Sequence, residues 1–170
     1  SNAQAFNHDI SNWEVSSVTS MYAMFNNAES FNQDIGSWNV ENVENMGYMF
    51  YGTDVFNGDI SSWDVSGVTN MYTMFFHAVS FNQDISNWDV SNVNDMDFMF
   101  DGADALSDGN KCAIHTTFSY NGAWPYDWSD LCIFDNHITI ENLNLNTGTF
   151  DLYMVNADPV GGFQFVFSGI

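Results

Sequence analysis

Basic side chains are almost absent from this chain. Its 170 residues hold one Lys or Arg, Lys111, against 22 Asp and Glu, for a formal net charge of −21. Nucleic-acid backbones are met by Lys/Arg patches, so a nucleic-acid binder is excluded. Docking on anionic lipid is disfavoured for the same reason. Runs of 18 apolar residues are also missing, so no membrane insertion is expected. No H-E-x-x-H, G-x-S-x-G, phosphate-loop or dinucleotide motif occurs, and His8, His77, His115 and His137 are scattered. Carboxylates in a repeat fold read as a solvated face rather than a glycosidase pair. The chain is therefore expected not to be an enzyme.

What is present is apolar. Hydrophobic residues make up 45% and aromatics 17%. Acidic disordered segments are poor in aromatics, so this chain is expected to fold. Ser1-Asn2-Ala3 reads as the scar of a cleaved tag, with residues 1–5 as a lead-in. No charged n-region or apolar h-region follows, so no signal peptide is visible, and the pattern reads as an excerpt of a longer protein.

A 25-residue repeat dominates. Four copies run 6–30, 31–55, 56–80 and 81–105 on the pattern F-N-x-D-I-x-x-W-x-V-x-x-V-x-x-M-x-x-M-F. Ten of 25 positions are identical in all four copies, and eight of those are apolar, which sets the interior. Neither a 3.6-residue nor a two-residue period fits their spacing. A period of this length is too short for a propeller blade and too small for its own core, so the units must stack. The expected fold is a repeat solenoid of short strands plus turns or 3₁₀ arcs. Trp-x-Val is its best strand, and Met-x-x-Met-Phe its helical turn or arc. Stacking makes columns of Trp and of Met, which are expected to be core rather than a ligand groove.

Two polar columns follow. Asn7, Asn32, Asn57 and Asn82 are expected to point inward and to bond each other and a tight turn. Asp9, Asp34, Asp59 and Asp84 would lie about 5 Å apart in such a stack, so their repulsion must be offset. Turn capping through backbone N–H groups is the favoured reading. A row of Ca²⁺ sites is the weaker one, since other acidic positions vary between units and no calcium-loop motif is present. No other cofactor is expected.

The segments FNQDIGSWNV-ENVENMGYMF and FNQDISNWDV-SNVNDMDFMF closely resemble a bacterial surface-protein repeat of about 25 residues. That repeat is a family of unknown function grouped with leucine-rich repeats of the BspA-like kind. The resemblance covers residues 6–105. It implies a right-handed, leucine-rich-repeat-like solenoid on secreted, lipid-anchored or wall-attached proteins, with adhesion or partner binding as its use. It transfers no catalytic residues.

The pattern breaks after residue 105. Residues 106–132 are expected to cap the last coil, with Leu106, Phe118, Trp124, Tyr126 and Trp128 over its apolar end. Cys112 and Cys132 match no zinc or redox spacing and are read as a disulfide closing the cap, against the alternative of two buried thiols. A disulfide implies an extracellular or cell-surface setting. Residues 133–170 alternate apolar and polar side chains, giving strands near 137–144, 149–155 and 162–167. DLYMVNADPVGGFQFVFSG is similar to the opening strands of a cohesin-like β-sandwich, so this tail reads as the start of a truncated sandwich. Phe163, Phe165 and Phe167 would leave a sticky edge, and a homodimer or strand exchange through residues 133–170 is expected.

Variable positions of a repeat are free of the scaffold. Positions 17, 18 and 21 hold Tyr22, Tyr48, Tyr51, Tyr72, Phe76 and Phe98. Exposed aromatics beside carboxylates suit a protein or glycan partner, and partial burial between coils is the competing reading. Glu14, Asn39, Asp64 and Asp89 form the alternative, polar face. Two functions are carried forward. One is an extracellular binding or adhesion module; the other is a structural spacer or stalk of a larger surface protein with no ligand of its own.

Overall fold

The fold comes from a computed structural model, which describes residues 3–132 and, as backbone, residues 137–144 and 149–155. The chain divides into two compact units, Ser1–Cys132 and Ile133–Ile170.

The eight invariant apolar positions make the interior of the first unit. In the second repeat Phe31, Ile35, Trp38, Val40, Val43, Met46, Met49 and Phe50 are all buried, and the third and fourth repeats copy this. Phe25 lies on Phe31 with centroids 3.9 Å apart, and Phe50 on Phe56 at 4.2 Å. Successive repeats stack the same rings at 5.4–5.6 Å, as in Phe25–Phe50 and Phe50–Phe75. Each buried ring brings roughly 4–6 kcal/mol of gross burial as an upper bound.

A leucine-rich-repeat solenoid with one short strand per coil is not what forms. The Trp-x-Val segments, 13–15, 38–40, 63–65 and 88–90, are not strands, and among the described residues the repeats contain none. Backbone donors are spent on local turns instead. Within the first repeat Trp13 N–H donates to the Ile10 carbonyl, Val18 to Val15, Met24 to Met21 and Ala28 to Phe25. Side chains tighten further corners: Asp59, Asp64 and Asn70 each accept the N–H two residues on, from Ser61, Ser66 and Tyr72. A chain turned this often has no extended run left to pair.

Repeats are tied together on the Met–Phe side. Met21, Ala23, Phe25 and Asn27 donate their N–H groups to the carbonyls of Asn45, Gly47, Met49 and Tyr51 in the next repeat. The second and third repeats do the same. This side is neither helix nor strand, because positions 18 and 22 are left-handed in every copy. Ala23, Tyr48, Thr73 and Phe98 have φ of 51–59°, and Asn27, Gly52, His77 and Gly102 have φ of 53–74°. What remains of a ladder is a line of single parallel bridges, Ser20–Asn45–Asn70–Asp95.

The Asn column is exposed for most of its length rather than inward, and its members bond one another from side chain to backbone rather than side chain to side chain. Asn7 Oδ1 accepts from Asn32 N–H, Asn32 from Asn57, Asn57 from Asn82 and Asn82 from Ser107, at 2.8–3.0 Å. The Trp column also bonds: Nε1 of Trp38, Trp63 and Trp88 donates to the carbonyls of Ile10, Ile35 and Ile60. Trp13 makes no such bond among the described residues and is 52% exposed, against 4% for the other three.

After the fourth repeat the chain forms helix α1, Asp108–Phe118, which the sequence pattern did not announce. Ser107 caps it by accepting from Asn110 N–H, Asp108 stands in the first turn, and Cys112, Ile114 and Phe118 are buried. A 3₁₀ turn, Ser129–Cys132, follows. The disulfide Cys112–Cys132 joins it to α1.

The second unit holds β1, His137–Asn144, and β2, Thr149–Val155, in antiparallel pairing with an irregularity between Glu141 and Asn144. The third expected strand, near 162–167, and the Phe163, Phe165 and Phe167 edge lie outside the described residues.

Candidate functional site

Six aromatic side chains gather on the Met–Phe side. The bulky ring alternates between positions 17 and 18, and in the first three repeats a small residue takes the other place: Tyr22 with Ala23, Tyr48 with Gly47, Tyr72 with Thr73. The fourth repeat pairs Phe98 with Asp97. A Cβ on Gly47 would lie 3.2 Å from Asn70 Oδ1, so a side chain at Gly47 would have to displace that amide. Stacking the repeats then yields a zigzag. Tyr22 meets Tyr48 at 5.4 Å, Tyr48 meets Tyr72 at 5.3 Å, and Tyr72 meets Phe98 at 6.1 Å. Position 21 adds a branch, with Tyr51 5.7 Å from Tyr48 and 5.0 Å from Phe76.

All six residues singled out from the sequence therefore stand in one contiguous strip. Tyr22 and Phe98 at its ends are 55% and 49% exposed, and the inner four are half-buried against each other. Tyr48, Tyr51, Tyr72, Thr73, Phe76 and Phe98 line a shallow depression of about 350 Å³. Both earlier readings, exposure and partial burial, thus apply to parts of one surface. Two of its residues, Tyr48 and Phe98, sit at left-handed φ, and so does the buried, β-branched Thr73. Such backbone is costly for non-glycine residues, and since position 18 has it in every copy it belongs to the repeat rather than to the strip. The Tyr48 hydroxyl, then desolvation, and last the Asp95 and Asp97 carboxylates hold the Tyr72 phenol above its ordinary range.

The Asp column has a different geometry. Asp9, Asp34, Asp59 and Asp84 each accept the N–H of the residue two on, Ser11, Gly36, Ser61 and Ser86. Each carboxylate thus closes its own turn. The Ser11 backbone bond lowers the pKa of Asp9, and the Ser61 hydroxyl and backbone lower that of Asp59. Among the described residues no group of three or more His, Cys, Asp and Glu gathers in a way that could hold a metal ion. On the alternative polar face, Asp64 and Asp89 are lowered by Ser66 and Ser91, hydroxyl first. Asn39 accepts from Glu41 N–H in the same way. His115 accepts from Trp124 Nε1 at 3.1 Å, while His8 and His77 are exposed.

Sequence reasoning missed how the cap works. Trp124, Tyr126 and Trp128 surround Phe100 at 5.7–6.2 Å. Phe100 N–H is the donor that in earlier repeats reaches the next repeat's carbonyl; here it donates to the Tyr126 hydroxyl at 2.8 Å. That hydroxyl donates in turn to Asp101 Oδ1 at 2.9 Å, and burial pushes its pKa up. Asn110 Nδ2 bonds the carbonyl and Oδ1 of Asn82, as Gln33 does for Asn7 and Gln83 for Asn57. Asn121 Nδ2 serves the carbonyls of Val90 and Val93. The signal was present in a Tyr and two Asn of the first residues to break the pattern, but their partners are set only by the three-dimensional stack.

These features define a class: a repeat protein of stacked turns, sealed at one end and carrying an aromatic strip. Residues 1–63 and 39–117 match the family model described as Mycoplasma protein of unknown function, DUF285, and the chain belongs to that family. The match supports a bacterial repeat family of unknown function and does not extend to the BspA-like leucine-rich-repeat type. No curated protein and no solved structure matches the chain. Among the described residues no helix is long and apolar enough to cross a membrane.

Proposed function

We propose that this chain is a non-enzymatic binding or adhesion module that works outside the cell or at its surface, and that the six-ring strip is its contact face for a protein or glycan. The observation carrying this reading is the strip itself. Its positions vary from repeat to repeat, yet they hold aromatic rings that meet across all four repeats. Interior packing accounts for the invariant positions and gives no reason for rings at these outer ones. The Cys112–Cys132 disulfide supports an oxidising, extracytoplasmic setting. A strongly acidic surface supports a saline one.

The spacer reading has its own support in the uniform columns of Asn and Asp that close turns and join repeats. An array of glycans and proteins separates the two. A binder retains one class of probe, and Tyr72→Ala releases it; an array that stays silent favours the spacer. Self-association through residues 133–170 belongs to the same proposal, and a solution mass showing only monomer counts against it.

A further inference from the structure

The zigzag of Tyr22, Tyr48, Tyr72 and Phe98 differs from the interior columns in how its rings meet, while the Tyr51–Phe76 branch is stacked at 7°. Interior neighbours lie nearly parallel, as in Phe50–Phe75 at 7° and Phe75–Phe100 at 4°. Along the zigzag the planes are at 64°, 54° and 86°. Rings set at such angles do not consume both faces on each other, so π-faces remain for something else. Carboxylates stand beside them: Asp97 directly precedes Phe98, and the backbone on either side of Tyr72 is bonded to these two residues, Met71 N–H to the Asp95 carbonyl at 2.9 Å and Thr73 N–H to the Asp97 carbonyl at 3.0 Å. The chain has no arginine or lysine to give these groups. Its single basic residue, Lys111, lies 3.9 Å from Asp108 on α1.

Ring faces beside unneutralised carboxylates are what a guanidinium or ammonium group recognises. The ring quadrupole attracts the cation, and a carboxylate takes its N–H donors. The net charge of −21 works in the same direction, drawing cationic partners in and repelling anionic ones. A neutral glycan gains nothing from that field. Spacing fits as well. Same-face side chains of an extended peptide recur about every 6.6 Å, close to the 5.3–6.1 Å ring steps.

We propose that the strip takes a Lys/Arg-rich extended segment of a partner protein, with basic side chains on the rings of Tyr22, Tyr48, Tyr72 and Phe98 and with Asp95 and Asp97 as counter-charges. This rests on the strip being the binding face and names its occupant.

The test uses the full chain and a labelled peptide of alternating Arg and Gly, read by fluorescence anisotropy. A peptide with citrulline for Arg and a neutral oligosaccharide serve as comparisons. The Arg peptide should bind at least about tenfold more tightly than its citrulline form. Tyr72→Ala should weaken it at least about fivefold with the melting temperature held. Asp95→Asn with Asp97→Asn should weaken it similarly. Asn is compatible with the turn at position 15, since Asn45 and Asn70 make the same bond there. Asp64→Asn with Asp89→Asn removes equal charge outside the strip and should change affinity less than about twofold. Equal weakening by both pairs, with Tyr72→Ala silent, would mean diffuse charge attraction and would overturn the proposal. Should the citrulline peptide or the oligosaccharide bind as tightly and be lost with Tyr72→Ala, the strip remains a binding face and the cationic occupant is wrong. If no probe binds, this inference falls, and the array experiment decides the wider reading separately.

Discussion

Trp13 and Trp63 occupy the same place in the repeat and differ in what covers them. Trp63 is 4% exposed and donates to Ile35, whereas Trp13 is 52% exposed. Trp63→Ala should cost about 3–5 kcal/mol and Trp13→Ala much less, in urea unfolding followed by tryptophan fluorescence. Asn57 is exposed yet accepts from Asn82 N–H and from Gln83. Asn57→Ala should therefore cost about 1 kcal/mol, more than an ordinary surface change. The invariant apolar letters predicted the interior of the second to fourth repeats, whereas in the first Trp13 and Met24 are exposed and Phe6 and Val18 only partly buried, because burial also needs a neighbour on both sides. The left-handed positions were half legible. Position 22 reads Asn, Gly, His, Gly, a recognisable mark, while position 18 reads Ala, Tyr, Thr, Phe and gives none. Acid should act through the turn-closing carboxylates. Asp9, Asp59, Asp64, Asp89 and Asp127 have folded-state pKa values below the unfolded one. Their stabilisation is present above about pH 3.9 and is lost as pH falls through the lowered values. In salt that screens the net charge, the melting temperature should drop between about pH 4 and pH 2. A flat profile there would deny these bonds any stabilising role. Chelator should leave the melting temperature unchanged at neutral pH, and a fall would restore the calcium reading of Asp9, Asp34, Asp59 and Asp84.

At the scale of elements, the cap joins α1, the aromatic cluster and the 3₁₀ turn into one cover. Its aromatic content was legible, since Trp124, Tyr126 and Trp128 had no other apolar end to meet. Its helix was not. α1 has little apolar periodicity and forms because Ser107 satisfies its first turn and Ile114 and Phe118 join the hydrophobic core. The expected strand at Trp-x-Val failed for a related reason: apolar alternation over three residues cannot outweigh turns on both sides. Tyr126→Phe keeps the ring and removes the acceptor of Phe100 N–H. It should cost about 1–3 kcal/mol, the loss expected for an orphaned buried donor, measured by chemical denaturation. Reducing Cys112–Cys132 should cost roughly 3 kcal/mol by releasing a loop of 20 residues' separation. The disulfide was readable because two cysteines without a metal spacing leave few alternatives.

For the whole molecule the governing quantity is charge. Twenty-two acidic side chains and one basic one repel each other in any compact state. The Asp64 charge partly opposes the lowering of Asp89 by Ser91, so neighbouring members of a column feel each other. Salt should therefore raise the melting temperature from low ionic strength towards marine levels, and a decline over that range would contradict it. Part of the acidity has a structural origin. Asp, Asn and Ser are the side chains that accept an N–H two residues on, and a chain turning several times per repeat needs many of them. The Tyr126 hydroxyl gives the cap a further meaning. Each internal repeat is a monomer that presents N–H donors to the next and takes them from the last, so the stack is a polymer with matching ends. Tyr126 quenches one of the growing end's donors, and Asn110 and Asn121 bond groups of the fourth repeat and its flank; none of them reproduces the donor row that a further repeat would need. The cap thus behaves as an end group indifferent to chain length. Copies of the 25-residue unit can be gained or lost behind it, lengthening or shortening the aromatic strip, without any change in how the molecule is terminated.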